Sequence, residues 1–66
     1  MSRNKNARQV NYYLKRRVHQ EGNSQYWLFV GEQQPYLIQK KGAGWYACTM
    51  YHQTLRDAII YCLYGP

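Results

Sequence analysis

YWLFVGEQQPYLIQKKGAGWYACTMY, residues 26–51, is the stretch that decides the architecture of this chain. It holds three short apolar runs, Tyr26 to Val30, Pro35 to Gln39 and Trp45 to Tyr51, separated by Gly31-Glu32-Gln33-Gln34 and by Lys41-Gly42-Ala43-Gly44. Runs of this length between glycine-bearing breaks read as β-strands joined in antiparallel hairpins. Pro35 has no N–H to give to a ladder, which places it first in its strand. Gly42-Ala43-Gly44 reads as a hairpin turn, where glycine tolerates positive φ, and not as a phosphate-binding loop.

Downstream, TLRDAIIYCLYGP (residues 54–66) predicts a helix. Thr54 is followed three residues later by Asp57, a variant capping box, and Leu55, Ala58, Ile59 and Cys62 share one face at helical spacing. Gly65 and Pro66 suit a helix stop. Upstream, VNYYLKRRVH (residues 10–19) fits two periods. Val10, Tyr13, Leu14 and Val18 share a helical face, whereas Tyr12, Leu14 and Val18 alternate as in a strand. The density of Tyr, Val and Arg, followed by Glu21-Gly22-Asn23-Ser24 as a turn, favours the strand. Residues 1–9 (MSRNKNARQ) have almost nothing apolar and read as a disordered basic arm. The predicted fold is therefore α+β: an arm over 1–9, then one small domain over 10–66, with an antiparallel sheet of three or four strands closed by a C-terminal helix.

Hairpin loops with an even number of residues fix a register. Leu28 then faces Leu37 and Trp27 faces Ile38, while Lys40 faces Trp45 and Ile38 faces Ala47. One side of the sheet carries Leu28, Val30, Leu37, Cys48 and Met50 for the helix to cover. The other carries Trp27, Phe29, Tyr36, Ile38, Lys40 and Trp45, an aromatic surface suited to stacking on unpaired bases, to a second copy of the chain, or to cover by residues 10–19. An odd loop flips one strand and dissolves that surface.

With 66 residues the chain buries a modest fraction of its surface, so two Trp, eight Tyr and one Phe supply rigid contact area, and homodimer formation is a second route to stability. Nine Lys and Arg against three Asp and Glu give a net charge of +6. Six of those cations, Arg3, Lys5, Arg8, Lys15, Arg16 and Arg17, lie in the first 17 residues. A field of one sign points to an anionic partner, and nucleic acid is the first expectation. The expected contacts are these six residues together with Lys40, Lys41, Trp27, Tyr36 and Trp45. The alternative, from a different class, is a phage or mobile-element encoded factor that docks on an acidic host protein and inhibits or modulates it.

Catalysis is not expected. Glu21, Glu32 and Asp57 are the only acids, and Asp57 has a capping role; His19 and His52 are the only imidazoles. Cys48 and Cys62, 14 positions apart with no second pair, read as free thiols acting as small hydrophobes, and no metal or cofactor is implied. The absence of a long apolar run and the polar amino end point away from a membrane and towards the cytoplasm.

The sequence GWYACTMY leading into TLRDAI resembles many very small phage and mobile-element proteins, and integrase arm-type DNA-binding modules, in which three strands are backed by a helix. A weaker likeness is to HicA-type ribonuclease toxins. Gln25 and Tyr26 stand where that family's catalytic histidine is expected, a departure that argues against toxin activity.

Overall fold

The computed structural model describes residues 2–65, with side chains from residue 7 onward. Its elements run α1 (Ser2–Arg16), β1 (Val18–Glu21), β2 (Gln25–Leu28), β3 (Tyr36–Lys41), β4 (Gly44–Ala47), β5 (Met50–His52) and α2 (Leu55–Tyr64). The five strands form one antiparallel meander in chain order, so the sheet has five strands where three or four were expected.

Two differences account for the extra strands. Residues 10–16 are helical, and the strand begins only at Val18, where a three-residue turn at Gly22 to Ser24 pairs Glu21 with Gln25. The helical period wins because Ala7 and Val10 extend the stripe of Tyr13 and Leu14 backwards, giving a continuous face; Val10 is fully buried. α1 begins at Ser2, within the stretch read from sequence as an arm. The run from Trp45 to Tyr51 is also broken in two, by a turn at Cys48 and Thr49.

α2 begins and ends where its sequence predicts. Thr54 accepts the Asp57 N–H at 3.0 Å, and Gly65, with φ of 80°, donates its N–H to the Tyr61 carbonyl at 2.8 Å. Ala58 and Ile59 are buried.

Both helices lie on one face of the sheet. Val10 from α1, Leu28, Ile38 and Ala47 from the strands, and Ala58 and Ile59 from α2 form a single core, each 1% exposed or less. Full burial of a Val, Leu or Ile side chain contributes about 1.5–3 kcal/mol, so four of these residues carry much of the stability. Polar bonds tie the helices side by side, from Arg56 to the Asn11 side-chain oxygen and from the Tyr64 hydroxyl to Gln9. Among the described residues, no helix is long and apolar enough to cross a membrane.

The register of β3 on β4 is the expected one, with Lys40 opposite Trp45. That of β2 on β3 is shifted by one: Leu28 pairs with Tyr36, Trp27 with Leu37 and Tyr26 with Ile38. The loop between Leu28 and Tyr36 therefore holds an odd number of residues, so Leu28 keeps its expected side while β3 and β4 turn their other face to the helices. The covered face carries Val18, Tyr26, Leu28, Tyr36, Ile38, Trp45 and Ala47, and the open face carries Trp27, Leu37, Tyr46 and Tyr51.

Candidate interaction surface

The register divides the expected aromatic surface between the two sides of the sheet. Tyr36 and Trp45 are half-buried beneath the helices, Trp45 meeting Tyr26 edge-on at 4.9 Å between ring centroids. Lys40 lies on that same side, its Nζ 5.4 Å from the Trp45 ring and donating to the Gly42 carbonyl at 2.8 Å. Trp27 and Lys41 are on the open face. Trp27 Nε1 donates to Glu21 Oε1 at 2.7 Å, and Lys41 Nζ sits 5.3 Å from the Tyr46 ring. These residues do not make one platform.

Three of the amino-terminal cations share one helix face with a tyrosine. On α1, Arg8, Tyr12, Lys15 and Arg16 follow one another at i, i+4, i+7 and i+8, so they share the face opposite Val10 and Leu14, and all four are exposed. Arg3 and Lys5 belong to the same helix, but their side chains lie outside the described residues. The helix contains no Asp or Glu, and Lys15 and Arg16 in its last turn sit favourably at the negative end of its dipole.

Arg17 is fixed by its backbone at the joint between helix and sheet. Its N–H donates to the Tyr13 carbonyl and its own carbonyl accepts from the Phe29 N–H, both at 2.8 Å. From that anchor its side chain folds back over Tyr12. Nε donates to the Tyr12 hydroxyl at 3.2 Å, and the guanidinium carbon stands 5.7 Å from the ring centroid. Tyr13 braces Tyr12 edge-on at 5.6 Å. Tyr12, Arg16 and Arg17 thereby line an open cleft of about 420 Å3. Phe29, 42% exposed, leaves β2 at the same joint.

Two guanidinium groups beside a tyrosine make a site for carboxylates or phosphates, because the planar guanidinium fork pairs two oxygens at once while the ring supplies apolar contact. Tyr12 was not singled out from the sequence. Its signal was its position four residues from both Arg8 and Arg16, legible only once the segment is read as a helix.

The histidines stand apart from this cleft. His19 is exposed on β1, whereas His52 is buried on β5, 3.3 Å from the Ala47 carbonyl and tilted against Tyr61 at 5.1 Å. Among the described residues no group of three or more His, Cys, Asp or Glu side chains is placed to hold a metal ion.

A family model described as the bacteriophage N4 DNA replication inhibitor matches residues 1–64. The chain belongs to that family. It is a phage-encoded modulator, and the match spans every element of the fold, including the basic face of α1. No curated protein and no solved structure matches the chain. Membership in that family supports a phage-encoded modulator and does not itself support nucleic-acid binding.

Proposed function

We propose that this protein inhibits DNA replication by docking the outer face of α1 on an acidic surface of a replication protein. It acts in the cytoplasm, by binding and without catalysis. The observation that carries the reading is the exposed basic face of α1, with Tyr12 held by Arg17 and lining a cleft with Arg16 and Arg17, in a chain of the replication-inhibitor family. Tyrosine and arginine are the side chains most often found at the energetic centre of protein interfaces, and the net charge of +6 steers encounter with an acidic partner. A nucleic-acid role through base stacking loses support from the division of Trp27 from Tyr36 and Trp45 between the two faces.

The test is a reconstituted replication reaction in which template DNA and each replication protein are varied separately against a fixed amount of inhibitor. Excess of one protein component should relieve inhibition, and excess template should not. Replacing Arg16→Ala together with Arg17→Ala should weaken inhibition at least tenfold, about 1.4 kcal/mol, while leaving the melting temperature within a few degrees, because both side chains are exposed. Relief by template alone, with a steep salt dependence, would transfer the surface to nucleic acid. Undiminished inhibition by the double variant would remove α1 from the interface.

A further inference from the structure

Cys48 and Cys62 come from different elements, the turn between β4 and β5 and the last turn of α2, and their sulfurs lie 3.1 Å apart. Both are free and half-buried. The separation exceeds a disulfide bond of ~2.05 Å by only about 1 Å, a distance that side-chain rotation can close.

A second observation concerns the turn itself. Cys48 and Thr49 join the paired residues Ala47 and Met50 with φ of 54° and 59°. Two consecutive left-handed residues define the tight hairpin turn for which Asn-Gly is the favoured pair, and a β-branched threonine is poorly suited there. Backbone strain of this kind persists where a side chain has a use for the position. Here the turn delivers the Cys48 sulfur to α2.

We propose that Cys48 and Cys62 are a disulfide-forming site that staples the β4–β5 turn to α2. The oxidant is a small-molecule disulfide. The Cys48 thiolate attacks one of its sulfurs, forming a mixed disulfide and releasing one thiolate. Cys62, deprotonated, then attacks the Cys48 sulfur and expels the second. The two protons lost from the cysteines end on the two thiols released, and the two electrons reduce the oxidant. Burial, followed by the hydrogen bond and the charge of Cys48, pushes the Cys62 thiol up to about 12, so Cys48 is the residue that attacks first. Once Cys48 is in a mixed disulfide its charge is gone, and one restraint on ionisation of Cys62 goes with it. In a reducing compartment the pair rests as two thiols, and oxidation closes it.

Purified reduced protein is incubated with a mixture of oxidised and reduced glutathione at mildly alkaline pH, quenched with iodoacetamide and weighed intact. The expected product is a monomer lighter by two hydrogens that takes up no iodoacetamide. Its melting temperature should stand about 10 to 20 °C above that of the reduced protein, since the bridge closes a loop of about 15 residues. Cys62→Ser should instead trap glutathione on Cys48. Alkylation of both cysteines, a stable glutathione adduct on the wild-type chain, or bridges formed only between chains would each overturn the proposal. The wild-type measurement decides even where the variant does not fold.

Discussion

Replacing Gly44 by alanine tests the edge of the sheet that the sequence did not reveal. Gly44 is buried at the start of β4, and a Cβ built there would stand 2.5 Å from Tyr51 Cε2 and 2.6 Å from the His52 carbonyl oxygen. Neither obstacle yields cheaply. The Tyr51 ring is pinned on its far side by its hydroxyl, which donates to the Lys41 carbonyl at 2.6 Å, and the second obstacle is backbone of β5. Overpacking costs about 1–3 kcal/mol and a lost exposed hydrogen bond about 1. Against this, alanine restricts the unfolded chain and returns about 0.4–1 kcal/mol. The net cost, about 1–3 kcal/mol, lowers the melting temperature of so small a protein by about 5 to 20 °C. Thermal unfolding followed by circular dichroism reads it directly. Introduced into a Tyr51→Ala background, the same change should cost less but still destabilise, because the His52 carbonyl remains. A melting temperature for Gly44→Ala that is unchanged or raised would mean that Tyr51 and β5 do not lie across Gly44, and the fifth strand would have to be withdrawn.

Two further outcomes follow from the core and from the thiol pair. Ile59→Ala removes a fully buried side chain from the centre of the cluster with Leu28, Ile38 and Val10, so urea unfolding should show a loss of about 2–5 kcal/mol; no loss would refute the packing of α2. Because the folded state holds the Cys62 thiol up at about 12 against an ordinary value of 9.0, the folded chain binds more protons between those values. Stability of the reduced protein is then fully present below about pH 9 and falls as pH rises towards 12, a slope that should flatten in Cys62→Ser; equal slopes in the two proteins would refute it.

Local chemistry made some elements legible and left others hidden. α2 could be read because Thr54, Asp57 and Gly65 act on their own neighbours, and the hydrogen bonds they make are those their side chains and φ preferences dictate. The β3–β4 hairpin could be read for the same reason, since Gly42 takes the positive φ of 60° that the turn requires. The β4–β5 turn could not, because Cys48 and Thr49 carry no turn signature and hold their left-handed conformation only within the paired strands. Residues 10–16 have the β-propensity of a strand over their own short stretch, whereas the apolar stripe that decides the period begins at Ala7.

The site repeats that lesson at higher stakes. Composition points to six amino-terminal cations, but it does not say what they surround. One residue of loop between Leu28 and Tyr36 determines whether Trp27 shares a surface with Tyr36 and Trp45, and nothing in Phe29 to Pro35 announces its parity. With the odd loop the aromatics are divided, whereas Arg16 and Arg17 line a cleft with Tyr12 at the end of a helix. A convex helix face with a tyrosine and two arginines around one cleft offers a few directed contacts, whereas a flat row of aromatics offers a stacking track for a polymer. The loss of the stacking platform therefore rests on sheet register, and membership of the replication-inhibitor family supports a phage-encoded modulator.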